Sequence, residues 1–286
     1  MIDVNAIDWN EAWKKPFSPE DSGKGCTSCG KRWSDPEKCR RYNDMVKEDN
    51  WSAASYRMQS MDIKPDFRVL DIGAGPGTLS IPLAGVVKDV TSVEPSGGML
   101  TCLRENTVES GISNITIVPK KWEDIVVEQD LTPPYDLVIS SYSLAFPDLQ
   151  EALQKMNDVS RKYVYIFWFA DMMSPWQRNY LEIWEQLFGI PPETGRKPNI
   201  IYNLLNQMGI YANVEVNLEE ISHRFSSVEE ALEDQSTGLN LSTQEQRSLL
   251  KKYLEKKLIQ EKNYCVIREK SPRCKIWWDK EQFLHL

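Results

Sequence analysis

The chain of 286 residues is predicted to be an α/β protein built on a doubly wound, mostly parallel sheet. Two observations predict this fold: short apolar runs alternate with helical segments from residue 68 onward, and clustered glycines follow the first run. The runs 137–139 and 163–169 are continuously apolar, as is typical of strands covered on both faces. Residues 1–50 lack this alternation and are rich in Trp, Pro, Gly and Cys. We therefore expect an N-terminal cap over 1–50 and the α/β domain over 51–286.

The elements follow from the same alternation. Strands are expected at 68–72, 89–93, 115–118, 136–141, 163–169, 214–218 and 264–268. Helices are expected at 10–15, 36–47, 51–61, 78–87, 96–110, 148–160 and 199–208. Two stretches, 171–198 and 226–262, exceed this pattern. The second is expected to be helical throughout, with capping boxes that begin at Ser226 and Ser242.

Residues 69–77 form the most informative segment, Val-Leu-Asp-Ile-Gly-Ala-Gly-Pro-Gly. Its glycine spacing, G-x-G-x-G, differs from the G-x-G-x-x-G of dinucleotide-binding turns. Asp71, at the end of the strand, would repel a pyrophosphate and favour a cationic group such as an ammonium. Glu94 ends the second strand, where such folds place a carboxylate on ribose hydroxyls. A ribose joined to a cationic amino-acid group indicates S-adenosylmethionine.

These motifs resemble those of the class I S-adenosylmethionine-dependent methyltransferases, closely over about residues 65–170. The resemblance implies a Rossmann-like, seven-stranded sheet whose seventh strand is antiparallel between the fifth and sixth. It also implies that the insertions at 171–198 and 226–262 lie over the cofactor-bearing edge as lids. Trp122 and Glu123 would flank the adenine. The full set of implied cofactor-binding residues is Asp71, Gly73, Ala74, Gly75, Gly77, Glu94, Pro95, Ser96, Met99, Trp122, Glu123 and Ser140.

The expected chemistry is a displacement in which nucleophile, methyl carbon and sulfur lie nearly in line. Because alignment is the main requirement, no single carboxylate or histidine is expected to be essential, and Asp148 is expected to cap a helix. The resemblance places Ser141 and Tyr142 in the loop nearest the methyl group, as the candidate catalytic residues. Tyr142 could orient the acceptor or could equally be a packed ring.

A second motif, Cys26-Thr-Ser-Cys29-Gly, has the form of a zinc knuckle. Cys39 is a candidate third ligand, and no fourth ligand is evident nearby. The alternatives are ordinary reduced thiols or a thiol pair that handles a redox-active substrate.

Composition limits the partners. The net charge of −8 argues against a general nucleic-acid binder. Neither a membrane-length apolar run nor a secretion signal is evident, so a cytoplasmic protein is expected. The predicted activity is methyl transfer to a small-molecule acceptor. Transfer to protein or RNA, or a non-catalytic role in cofactor sensing, remain alternatives; the pattern predicts no oligomeric state.

Overall fold

The protein is described by a computed structural model over residues 7–14, 33–171, 178–191 and 198–282. Strands and helices are numbered here in chain order within those ranges. One sheet runs through this part of the chain in the order β3-β2-β1-β4-β5-β8-β6, and β7 pairs with β8. The strands are β1 (Arg68–Ile72), β2 (Asp89–Val93), β3 (Ile115–Val118), β4 (Tyr135–Ser141), β5 (Ser160–Phe169), β6 (Asn213–Phe225), β7 (Ile259–Glu261) and β8 (Tyr264–Asp279).

Helices connect the strands and cover the sheet. The described helices are α1 (Trp9–Lys14), α2 (Pro36–Glu48), α3 (Ser52–Gln59), α4 (Ser80–Ala84), α5 (Gly97–Glu109), α6 (Val127–Asp130), α7 (Leu149–Val159), α8 (Trp184–Phe188), α9 (Pro198–Gln207), α10 (Val228–Gly238) and α11 (Gln244–Lys257).

The topology confirms the predicted doubly wound sheet. Strands β1 to β5 pair in parallel, and β8 pairs antiparallel with both β5 and β6. The strand order reverses between β1 and β4, which is where open α/β sheets bind their ligands. Ile72 lies in register with both Val93 and Ser140, so β1, β2 and β4 end together at this edge.

The core lies on both faces of the sheet because successive strand side chains point to opposite sides. Leu70 and Val138 belong to the cluster under α7, whereas Val69 and Leu137 belong to the cluster on the opposite face. Trp13 of α1 is fully buried in the first cluster, and its indole N–H donates to the carbonyl oxygen of Phe146 at 2.9 Å. Part of the predicted cap therefore packs into the core of the sheet.

The C-terminal region differs from the sequence prediction. β6 and β8 pair continuously over Asn213–Phe225, far beyond the predicted 214–218 and 264–268. The stretch 226–262 is not helical throughout, since it contains α10, α11 and then β7. The N-caps of the two helices are Ser227 and Thr243, one residue later than predicted, because these side chains accept the N3 backbone N–H.

The two insertions pack on each other around a hydrophobic cluster of their own. α8 contributes Trp184 and Leu187, and the α10–α11 segment contributes Leu239, Leu250 and Leu254. Their expected role as lids stays a prediction. No helix within the described ranges is long and apolar enough to cross a membrane.

Candidate cofactor and acceptor site

The glycine loop joins three strand ends. Gly73 has a φ of +73°, and its N–H donates to the carbonyl oxygen of Val93 at 2.8 Å. A Cβ atom on Gly73 would lie 2.3 Å from the Cβ of Ser143, which follows β4. Only glycine fits this position, because any side chain would separate the β1 loop from the β4 loop.

Gly75 faces open space. Its φ is +59°, and a Cβ built there would meet no atom of the described chain within 4 Å. Its N–H donates to Oε2 of Glu94 at 2.8 Å. The loop therefore exposes a strip of backbone that a ligand can approach closely, as the predicted cofactor requires.

Glu94 closes the other side of this space. It is buried, and its two carboxylate oxygens accept the N–H groups of Gly75 and Ser96, both at 2.8 Å. Burial raises the pKa of this carboxyl, while the two backbone hydrogen bonds oppose the shift. Each oxygen keeps a further lone pair, so the carboxylate can still accept hydrogen bonds from ribose hydroxyls.

Asp71 lies beneath the glycine loop. Its Oδ2 accepts the Ser80 hydroxyl at 2.6 Å, and Ser80 in turn accepts the Ser92 hydroxyl at 2.7 Å. Burial raises the pKa of Asp71 to about 6, against the lowering effects of the Ser80 hydrogen bond and the charge of Arg57. A carboxyl held in this way becomes fully ionised when a cation is placed beside it.

The N-terminal segment covers the end of β2. Ser96 caps α5 by accepting the N–H of Met99 at 3.3 Å, and its hydroxyl donates to the carbonyl oxygen of Trp33 at 2.6 Å. Gly98 is packed against Cys39, because a Cβ there would lie 2.8 Å from the cysteine Sγ. The exposed Pro95 lies in the same loop. The loop predicted to bind the ribose therefore lies directly against α2.

The zinc prediction finds no support in the described part of the chain. Cys26 and Cys29 lie outside the described residues. The described residues contain no group of three His, Cys, Asp or Glu side chains that could hold a metal. Cys39 is buried, and its Sγ lies 3.8 Å from the Ser96 hydroxyl. Its location indicates a packing role between α2 and α5.

Trp122 and Glu123 follow β3. Trp122 is buried, and its indole N–H donates to the carbonyl oxygen of Ala152 at 3.2 Å. Both residues line a small cavity of about 130 Å³ together with Phe146. A larger cavity of about 630 Å³ lies along α7, and its lining includes neither the glycine loop nor the end of β2. The lining of the smaller cavity likewise includes no residue of the glycine loop or of the end of β2, so the adenine role of Trp122 and Glu123 stays a prediction.

The loop after β4 forms the opposite wall. Ser140 is fully buried, and its hydroxyl lies 2.8 Å from that of Ser143. Ser141 accepts a hydrogen bond from Nη1 of Arg57 at 2.9 Å. Tyr142 has a φ of +56°, and its ring centroid lies 5.1 Å from that of Phe169. Its hydroxyl is buried without a hydrogen-bond partner in the described structure.

Sequence reasoning missed two buried arginines at this wall. The Arg57 guanidinium lies 5.4 Å from the Tyr142 ring centroid, and that of Arg273 lies 4.9 Å from it. Both side chains are more than nine-tenths buried. The sequence signal for a buried arginine was the charged Arg273 in the apolar stretch after Pro272. The predicted strand ended at residue 268, so it did not include Arg273.

Asp148, Asp171 and His223 lie in the same half of the chain and have contacts of a structural kind. Asp148 caps α7 as predicted, by accepting the N–H of Glu151 at 2.9 Å, and also pairs with Lys14. Asp171 accepts from Arg178. His223 lies 3.8 Å from Oε2 of Glu269. Burial raises the pKa of Glu269 to about 7.

Comparisons with known proteins agree with this geometry. Residues 69–162 match the family model of a methyltransferase domain. An uncharacterized protein of Haemophilus influenzae is 29% identical over 232 residues, which are 79% of this chain and 81% of that protein. The 23S rRNA (uracil(1939)-C(5))-methyltransferase RlmD of Xanthomonas campestris is 37% identical over 65 residues, only 23% of this chain and 15% of the enzyme.

Solved structures show the same fold. A candidate methyltransferase of Bacillus halodurans superposes with a TM-score of 0.54 at 18% identity, over 80% of this chain and 99% of that chain. The YcgJ protein of Bacillus subtilis gives a TM-score of 0.51 at 12% identity, over 79% and 97% of the two chains. Residues 69–162 therefore form a methyltransferase domain, and the fold is that of the class I S-adenosylmethionine-dependent methyltransferases. The domain supports an enzyme that uses S-adenosylmethionine as its cofactor.

Proposed function

We propose that this enzyme transfers the methyl group of S-adenosylmethionine to a small-molecule acceptor by in-line displacement. The observation that carries the proposal is the enclosed acceptor wall. The Tyr142 hydroxyl and the Arg273 guanidinium are both buried next to Phe169. An acceptor that uses these groups has to fit inside the protein, which favours a small molecule over a surface of a macromolecule.

The residues present fit the cofactor. Gly73 and Gly75 supply backbone that a ligand can approach, and Glu94 accepts from ribose hydroxyls. Asp71 provides the negative charge for the ammonium of the methionine group. The methionine carboxylate also requires a cation, and Arg57 is the buried cation whose charge acts on Asp71. Trp122 and Glu123 follow β3, the strand next to β2, and are the residues we propose to flank the adenine.

The protein's task in the reaction is alignment. The cofactor supplies an electrophilic methyl group on a sulfonium, which leaves as a neutral thioether. Burial raises the pKa of Tyr142 well above its usual range, so the hydroxyl stays protonated and acts as a hydrogen-bond donor. Holding an acceptor in line and away from water can by itself remove about 7–11 kcal/mol of the barrier.

RNA is the less favoured acceptor. The match to RlmD covers 15% of that enzyme, so it supplies no argument about the acceptor. The net charge is −8. In the lysine-rich face of α11, Lys251 pairs with Glu229 and Lys257 pairs with Glu182, which offsets part of the positive charge that phosphates would need.

The test is transfer of a labelled methyl group from S-adenosylmethionine into an extract of cells that contain this protein. We expect labelled product that passes a small-pore filter and survives both ribonuclease and protease. Label that disappears with ribonuclease or protease would contradict a small-molecule acceptor. Calorimetry with S-adenosylhomocysteine tests cofactor binding separately from the acceptor.

A further inference from the structure

Arg273 is a buried cation that has no counterion among the described residues. It lies on β8 opposite Phe169 of β5 and is 7% exposed. Its Nε atom has no hydrogen-bond partner in the described structure. No carboxylate of the described residues lies within ion-pair distance of its guanidinium. A buried charge without a partner is unfavourable, so this arrangement requires an explanation.

Aromatic stacking explains only part of how the buried Arg273 is accommodated. The guanidinium carbon lies 4.3 Å from the Phe169 ring centroid and 4.9 Å from that of Tyr142. Such contacts use the flat face of the guanidinium and leave the N–H groups at its edge free to donate. The stacked rings therefore fix the orientation of Arg273 without satisfying its donors.

The nearby acids do not neutralise it. The negative charges of Glu219 and Glu269 raise the pKa of Arg273, but neither carboxylate forms an ion pair with it. Glu269 accepts instead from the Asn179 side chain. Burial raises the pKa of Glu269 to about 7, which disfavours the charged form that a counterion requires.

The Arg273 guanidinium and Tyr142 are neighbours, with the guanidinium carbon 4.9 Å from the Tyr142 ring centroid. Both belong to the wall formed by the ends of β4 and β5, and both keep an unpartnered polar atom. The proposed function assigns Arg57, which is hydrogen-bonded to Ser141, to the methionine carboxylate. A second buried guanidinium at the same wall therefore matches a second anion.

We infer that Arg273 binds an oxyanion of the methyl acceptor, a carboxylate or phosphate that is not itself methylated. The planar guanidinium pairs with either group through two parallel hydrogen bonds, and Tyr142 donates a third. This inference rests on the proposed small-molecule function. It narrows the acceptor to molecules that are negatively charged away from the methylated atom.

The experiment measures the charge of the acceptor and of the labelled product, and compares the parent protein with variants at Arg273. The small-molecule fraction of the extract is divided on an anion-exchange resin at alkaline pH into retained and unretained pools, and each pool is assayed for labelled-methyl transfer. We expect acceptor activity in the retained pool, with a labelled product that is itself retained. R273M is expected to lower this transfer about 100-fold and R273K about tenfold. The affinity of both variants for S-adenosylhomocysteine should stay within about twofold of the parent.

Lys275 supplies the matched control. It lies two residues along the same face of β8 and is buried like Arg273, but it pairs with Glu215 at 3.0 Å and donates to the Ser60 carbonyl at 2.8 Å. K275M is expected to lower the melting temperature and leave the acceptor preference unchanged. R273M is expected to leave the melting temperature unchanged or raise it, because it removes an unpaired charge.

Three results would overturn the inference. These are acceptor activity confined to the unretained pool, full transfer by R273M, or a loss of S-adenosylhomocysteine affinity in R273M as large as the loss of transfer. The last result would assign Arg273 to the methionine carboxylate. Failure of the parent protein to bind S-adenosylhomocysteine, or label found only in RNA or protein, would instead contradict the proposed function. R273K keeps the charge and tests the inference if R273M does not fold.

Discussion

The two walls of the site differ in how far their polar groups are satisfied. On the cofactor wall, Asp71 accepts from Ser80, and Glu94 accepts from two backbone N–H groups. On the acceptor wall, the Tyr142 hydroxyl and the Arg273 Nε are buried without partners among the described residues. The polar groups of the cofactor wall are thus already hydrogen-bonded, whereas the acceptor wall has donors that are left for a ligand in our proposal.

This difference separates cofactor binding, which is common to many methyltransferases, from acceptor recognition, which is specific to each enzyme. A preorganised wall binds its ligand without further ordering of side chains, which suits a cofactor common to a whole family. Unpartnered buried donors reject any molecule that lacks matching acceptors, because the donors would remain desolvated. The specificity of this enzyme should therefore reside on the acceptor wall.

The strongest test of the cofactor wall is G75A. The added Cβ meets no atom of the described protein, so the cost to folding is limited to left-handed backbone strain of about 1 kcal/mol. The same Cβ projects into the space assigned to the cofactor. We expect affinity for S-adenosylhomocysteine to fall about 100-fold, or about 2.8 kcal/mol, by calorimetry.

G73A is the control for that substitution. Its Cβ would collide with Ser143, so the protein itself should lose stability. If G75A binds S-adenosylhomocysteine as tightly as the parent, the cofactor does not lie against this loop.

The charge of Asp71 should make cofactor binding depend on pH. Its pKa is about 6 in the free protein, and a bound ammonium favours the ionised form. Binding below pH 6 therefore expels a proton, and affinity should rise about tenfold from pH 5 to pH 7 and then level off. In the free protein the sign is opposite: stability declines as the pH rises through about 6, because the buried carboxyl becomes charged.

D71N isolates this contribution. The pKa of Glu94 is also raised by burial, so it adds to the pH dependence in the same direction. We expect titration calorimetry of D71N at several pH values to give a weaker and flatter profile than the parent. An unchanged profile would show that Asp71 does not face the ammonium.

On the acceptor wall, Y142F removes an unpartnered hydroxyl. We expect the melting temperature to stay the same or rise slightly, because no internal hydrogen bond is lost. Transfer should fall about fivefold, since one hydrogen bond to the acceptor is removed. S-adenosylhomocysteine affinity measured in parallel should not change; a parallel loss there would place Tyr142 on the cofactor wall instead.

The smallest effect is expected at the opposite end of the same strands. Arg68 and Asp89 pair at 3.3 Å where β1 and β2 begin, partly exposed to solvent. D89N should lower the free energy of unfolding by about 0.2–1 kcal/mol, as measured by urea denaturation. Its transfer rate should match the parent; a marked loss would mean that the two ends of the sheet are coupled.

Much of the cofactor wall could be predicted from sequence. β1, β2 and β3 occupy the predicted residues, and Asp148 caps α7 as expected. These features depend on local patterns, since apolar runs, glycine turns and capping side chains each act within a few residues. The adenine role of Trp122, the methyl-facing role of Ser141 and the zinc site remain predictions.

The acceptor wall could not be predicted in the same way. β8 was expected to end at 268, because Pro272 and three charged or polar neighbours interrupt the apolar pattern. The strand continues to Asp279 because β5 and β6 pair with it on both sides. Arg273 was therefore not recognised as buried.

By itself, the sequence determined the fold class and the cofactor, because one continuous segment contains the strand, the glycine turn and the acid that select them. Only the tertiary structure decided which groups face the acceptor. Arg57, Tyr142, Phe169 and Arg273 come from α3, the β4 loop, β5 and β8, and they meet because β8 inserts between β5 and β6. Whether a charge is buried and unpaired depends on contacts between such distant segments, and no local pattern records them.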